Sequence, residues 1–125
     1  MIANDILLDG FTRVYESLHR TLADLDEDEL TREPHPSIGW FAWRLTRVMD
    51  SNIAQLSGGA QLWIAAGWAE RFGMPPEQAD YGKSHRHTRE QVRAFAAPAE
   101  LLLSYHDAVY DRMKLFLTTL SAEDL

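Results

Sequence analysis

Trp40, Trp43, Arg44, Arg47 and Asp50 crowd one stretch, SIGWFAWRLTRVMDS. At roughly 100° per residue, a helix there carries two guanidinium groups, a carboxylate and two indoles within a few turns. Arg44 supports two readings. Its planar, permanently charged fork suits a carboxylate or sulfonate, which would make it the floor of a pocket for a small anionic ligand. Alternatively it stacks on Trp40 one turn earlier, as Arg47 could on Trp43. Arg47 and Asp50 have the spacing of a helical ion pair. That pair reads as structural, with catalysis as the alternative. The tryptophans read as packing, with a ligand box as the alternative.

A second candidate is His106 with Tyr110, one turn apart. Two histidines at that spacing would suit zinc, but a tyrosine is a poor ligand unless ionised. His106 alone reads as a core or edge histidine bonded to a neighbour. His85 and His87 share a loop with Lys83 and Arg86, with no carboxylate or third histidine close by, and read as solvated. His19 and His35 read as surface residues. No GxGxxG, P-loop, GxSxG or HExxH pattern occurs. The chain contains no cysteine, which removes disulfides, thiolate ligands and a thiol nucleophile.

Composition bounds the partners. The chain has 125 residues, 46% of them hydrophobic, and a net charge of −7. Such a charge disfavours nucleic acid, which needs a basic face. No apolar run approaches the ~18 residues a membrane helix needs. The start, MIANDILLDG, lacks the basic region of a signal peptide, so a cytoplasmic location is expected.

The elements that must position these residues are helical. Leu7, Phe11, Val14, Leu18, Leu22 and Leu25 form one apolar stripe, predicting a helix over residues 4–25. Asp9, Arg13, Glu16 and Arg20 occupy its other face. An acidic linker follows and closes in Pro34 and Pro36. Ser37 caps a second helix over 37–57, whose apolar arc is Ile38, Phe41, Leu45, Val48, Met49 and Leu56. It stops at Gly58-Gly59. Shorter helices are predicted over 60–72 and 89–95, with a loop over 74–87 between them. A last long helix is predicted over 98–120, with Leu102, Val109, Met113, Phe116, Leu117 and Leu120 as its stripe. The fold expected is all-α, with three long helices, two short ones and no strand, forming one domain across residues 1–125.

The run from Ser37 to Pro75, with DYGKSHRHTREQVRAF and PAELLLSYHDAVYDRM, resembles the actinobacterial branch of the DinB-like four-helix bundle superfamily. The resemblance spans roughly residues 5 to 125. It implies an up-down bundle with a metal-capable pocket between helices. Better-known relatives include thiol-dependent S-transferases and the mycothiol-dependent maleylpyruvate isomerase. In metal-binding relatives a histidine of the second helix, in a context like W-x-x-W-H-x-x-R-x-x-D, supplies one ligand; Arg44 stands there in this chain. The other two ligands belong to a fourth long helix, before which this sequence stops. No cofactor is therefore expected, and a metal-free binding or interaction module is the favoured function. The alternative is a transferase or isomerase in which a divalent metal activates a thiol.

Three long amphipathic helices leave apolar surface that a fourth would cover. A homodimer or a partner helix is expected on a groove between the first and last long helices, near Leu102, Val109, Phe116 and Leu120. The competing expectation is that the short helices fold back with Trp63 and Trp68 and complete the core.

Overall fold

A computed structural model describes residues 3–33, 37–74 and 89–119, with Asn4, Arg89 and Gln91 described by backbone alone. Seven helices occur in these residues: α1 (Ala3–Leu22), α2 (Glu27–Thr31), α3 (Ile38–Ser57), α4 (Leu62–Ala65), α5 (Trp68–Arg71), α6 (Arg89–Ala94) and α7 (Ala99–Thr119). No strand occurs among the described residues. The protein is an all-α bundle built on the three long helices α1, α3 and α7.

Side-chain partners fix the directions. Thr12 meets Tyr110 and His19 meets Asp107, so α1 runs antiparallel to α7. Thr46 meets His106 and Ser57 meets Arg112, so α3 runs parallel to α7. The long helices thus run up, down, down, which refines the expected order. Both α1 and α3 lie along α7, and they barely touch each other.

Two short elements differ from expectation, each for a local reason. The segment read as an acidic linker contains α2, because Asp26 and Glu29 form a reciprocal capping box: the Asp26 carboxylate accepts from the Glu29 N–H at 2.8 Å, and Glu29 accepts from the Asp26 N–H at 3.2 Å. The helix buries Leu30 completely and sets it on α3, where a Cβ at Gly39 would lie 3.0 Å from the Leu30 carbonyl oxygen. The helix expected over 60–72 is instead two single turns. Gly67, with φ 75°, separates α4 from α5. The Ser37 cap forms as read, its hydroxyl accepting from the Trp40 N–H at 3.2 Å, while Pro34 and Pro36 lie outside the described residues.

The core is aromatic at the end where α4 and α5 fold back. Trp43 meets Trp63 edge-on, with centroids 5.7 Å apart, and Trp63 lies 5.5 Å from Tyr105. Trp68 reaches the same tyrosine at 5.4 Å, and Phe95 lies 5.5 Å from Trp43. Trp43, Trp63 and Tyr105 have no exposed surface. The short helices therefore complete this end of the core.

Of the apolar arc read for α3, Met49 is buried and Val48 half-buried, but the rest stands outside its buried face. Ile38, Phe41 and Leu45 are 47%, 53% and 39% exposed, and Leu56 is also exposed. Its buried face comprises Trp40, Ala42, Trp43, Thr46, Arg47, Met49, Asp50 and Ile53. Hydropathy misassigned the helix because Arg47 and Asp50, ranked as surface residues, neutralise each other inside.

Candidate functional site

Asp50 sits midway along α3, fully buried. One carboxylate oxygen accepts from the Leu62 N–H at 2.8 Å. The other accepts from the Trp63 N–H at 2.8 Å and from the Tyr105 hydroxyl at 2.7 Å. Leu62 and Trp63 open α4, whose own Gln61 provides no side-chain cap. Asp50 is therefore the cap of α4, supplied by a different helix. Arg47 is equally buried, with its nitrogen 3.9 Å from Asp50. It donates to the Gln61 side-chain oxygen at 2.7 Å and lies over Trp63, 4.8 Å from the ring centroid. Arg112 closes the cluster from α7. It lies 4.0 Å from Asp50, donates to the Ala60 carbonyl, and donates to the Ser57 hydroxyl at 3.3 Å.

This arrangement is saturated. Burial first, and the Asp50 charge second, push the Tyr105 hydroxyl far above its ordinary range, so it stays a donor. A carboxylate holding three short bonds and flanked by two cations has no lone pair directed at open space. The cluster fastens α3, α4 and α7 together. Arg47 stacks on Trp63 rather than on Trp43, the ring its spacing offered.

Arg44 lies elsewhere, half-buried on the flank of α3. Its guanidinium stacks over Trp40, 5.7 Å from the ring centroid. The structure does not bring it to the Asp50 cluster or to His106.

His106 and Tyr110 belong to a third place, where α7 meets α1. His106 is fully buried, and its Nδ1 lies 3.0 Å from the Thr46 hydroxyl. That hydroxyl donates its one hydrogen to the Ala42 carbonyl at 3.0 Å. Nδ1 must then carry the proton and donate, leaving Nε2 as a buried, bare acceptor with no partner. Burial above all pushes the His106 pKa down to about 4, with Asp107 pulling it up and His19 adding a smaller push down. Tyr15 stacks on Tyr110 at 4.3 Å and on His106 at 6.1 Å. Tyr110 bonds Thr12 at 2.8 Å. His19, read as a surface residue, is half-exposed but bonds Asp107 at 2.6 Å.

The metal implied by the family resemblance does not fit these residues. Arg44, at the position where the resemblance implies a ligand, carries a group that cannot coordinate a cation. Among the described residues no three of His, Cys, Asp and Glu gather as a metal would require. His85, His87 and His35 lie outside the described residues.

A groove of about 490 Å³, almost entirely apolar, opens between α1 and α3. Val14, Leu18 and Thr21 line it from α1; Ile38, Phe41 and Leu45 line it from α3. This corrects the expected position. The α1–α7 seam is filled, with Leu102 and Val109 buried and Phe116 packed on the core, because those residues serve the monomer. Leu120 lies outside the described residues.

Sequence reading missed Gln61, Tyr105, Arg112, Thr46 and Tyr15. Tyr105 was within reach: Leu102, Tyr105, Val109 and Met113 step along one helical face. Gln61 and Thr46 carried no periodic signal.

No family model and no curated protein match the chain. Among solved structures, it is similar to a conserved protein of Enterococcus faecalis. The TM-score is 0.83 at 27% identity, and the match covers 98% of this chain and 74% of that one.

Proposed function

We propose that this chain is a DinB-like helical domain acting as a metal-free interaction module, and that its working surface is the groove between α1 and α3. One observation carries the reading. The buried charges are consumed within the fold, whereas large apolar side chains, Phe41 foremost, stand exposed around an open groove. Exposed apolar surface gathered into one patch is characteristic of a binding face. An amphipathic helix is the partner such a groove fits, because i, i+3 and i+7 side chains can lie between α1 and α3. A cytoplasmic setting and no nucleic-acid role belong to the same proposal, supported by a net charge of −7 and a cysteine-free chain. Among the described residues no helix is long and apolar enough to cross a membrane.

The test is binding at the groove. A fluorescent hydrophobic probe should bind the native protein, and Phe41→Asp with Leu45→Lys should abolish that binding while leaving the circular dichroism spectrum helical. Unchanged probe binding in the double variant would overturn the reading.

One observation favours the alternative, a metal-dependent thiol transferase or isomerase. The bare Nε2 of His106, with Nδ1–H held by Thr46, is oriented as a metal-ligating imidazole is. Titration with Zn²⁺ or Ni²⁺ separates the two. A stoichiometric site of micromolar affinity, lost in His106→Ala, would replace the interaction module with the enzyme.

A further inference from the structure

The groove has a charged border, and the order of those charges identifies what covers it. Asp9, Arg13, Glu16 and Arg20 lie on one stripe of α1, stepping by four, three and four residues. All four are exposed, and Arg13 also lines the groove. Reading α1 backwards about a point between Val14 and Tyr15 exchanges Asp9 with Arg20 and Arg13 with Glu16. The stripe is thus complementary to its own antiparallel copy.

The exposed apolar row of α3 ends at the same level. His106 touches Tyr15 on α1 and Thr46 on α3, which places those two residues at one level of the bundle. An axis crossing α1 between Val14 and Tyr15 therefore crosses α3 beside Leu45, where the exposed row Ile38, Phe41 and Leu45 ends. Close approach along α1 is also open. Gly10 and Ser17 are small and exposed, and a Cβ added at Gly10 would meet nothing within 4 Å.

We infer that the groove is covered by a second copy of this chain, docked about a two-fold axis that sets α1 against α1 and α3 against α3, both antiparallel. Leu45 then lies beside its own copy, and the exposed Leu7 of each subunit, the antiparallel counterpart of Leu22, meets the other's groove. Four interchain ion pairs border the contact, Asp9 with Arg20 and Arg13 with Glu16, each formed twice. The within-chain pair between Arg13 and Asp9, 3.1 Å apart and exposed, gives way to these at little cost. The inference rests on the groove being the working surface, and it names the partner.

Sedimentation velocity across the micromolar range tests it with the full chain. The native protein should sediment as a dimer. Gly10→Trp should raise the dimer dissociation constant roughly tenfold or more by blocking close approach, with the helical spectrum unchanged. Arg20→Asp should weaken it by roughly tenfold, since like charges then face each other twice. The quadruple reversal Asp9→Arg, Arg13→Glu, Glu16→Arg, Arg20→Asp should restore self-association. Mixed with native chain, it should form two separate homodimers and no heterodimer. A native protein that stays monomeric, a dimer indifferent to Gly10→Trp and Arg20→Asp, or free mixing of native and reversed chains would overturn the inference. A monomer that still binds a hydrophobic probe at Phe41 would leave the groove as an interaction site and remove only the second copy.

Discussion

Helix α3 carries two faces that invert the usual order. Its inner face holds a buried arginine and a buried aspartate; its outer face exposes Ile38, Phe41, Leu45 and Leu56. The inner face is stable because its polar atoms meet partners at hydrogen-bonding distance, and a charge that is paired and bonded can leave water. Among the described residues nothing covers the outer face. Helix α7 lies between α1 and α3, and of its described residues Leu115 is the large apolar side chain left exposed. The contrast teaches that burial follows the satisfaction of each group, and that an unsatisfied apolar face marks a missing contact.

The sharpest way to break the comparison is at Asp50. Asp50→Ala leaves the Leu62 and Trp63 N–H groups and the Tyr105 hydroxyl without an acceptor, and leaves Arg47 buried without its counter-charge. The expected loss is about 3–5 kcal/mol, measured by urea unfolding. Arg47→Ala should cost a similar amount, because it removes the buried cation beside Asp50 and the donor to Gln61, and opens a void under Trp63. A loss below about 1 kcal/mol for either would show that the inner face is held by its aromatics alone.

His106 supplies the next largest effect, through pH. Its pKa in the fold is about 4, against 6.5 for a free histidine. Above about pH 6.5 the group is neutral in both folded and unfolded chains and contributes no pH slope. As pH falls from 6.5 toward 4, the unfolded chain takes up a proton that the fold refuses, so stability drops. The expected loss across that window is on the order of 3 kcal/mol, levelling off below it. His106→Leu should remove most of this slope and cost little at neutral pH, since Thr46 keeps its bond to Ala42. The comparison of native and variant isolates His106 from the nearby His19–Asp107 pair. Equal slopes in both would assign the acid sensitivity to that pair instead.

Tyr105→Phe is a smaller perturbation of the same cluster. It deletes one of three donors to Asp50 and preserves the ring contacts with Trp63 and Trp68. The expected loss is about 1–2 kcal/mol in denaturant unfolding. A value near that of Asp50→Ala would mean that Tyr105, rather than the α4 backbone, is the main partner of the carboxylate.

Much of the fold was legible because it rests on local rules. Ser37, the Gly58 break and the stripe of α1 each specify a boundary or a face through the chain next to them. The site was legible only where partners lie one helical turn apart. The Arg47–Asp50 pair and the Arg44–Trp40 stack are of that kind. The α4 cap supplied by Asp50, the Thr46–His106 bond and the Arg112 bonds join residues distant in sequence, so periodicity carried no trace of them. The groove was expected but misplaced, because the arc of α3 was assigned to the core before the buried charges claimed that position.

The finest test compares two arginines on one helix. Arg44 and Arg47 each lie over a tryptophan, at 5.7 Å and 4.8 Å from the ring centroid, yet only Arg47 is fully buried. Arg44 keeps part of its surface in water, so removing it strands no buried charge and the loss is confined to one stacking contact. Arg44→Ala should therefore shift the unfolding free energy by no more than about 1 kcal/mol, a small fraction of the Arg47→Ala effect. Calorimetry with a small carboxylate or sulfonate completes the comparison. Binding by native protein that disappears in Arg44→Ala would make this side chain a ligand site, and an equally large stability loss for both arginines would erase the distinction between the two faces of α3.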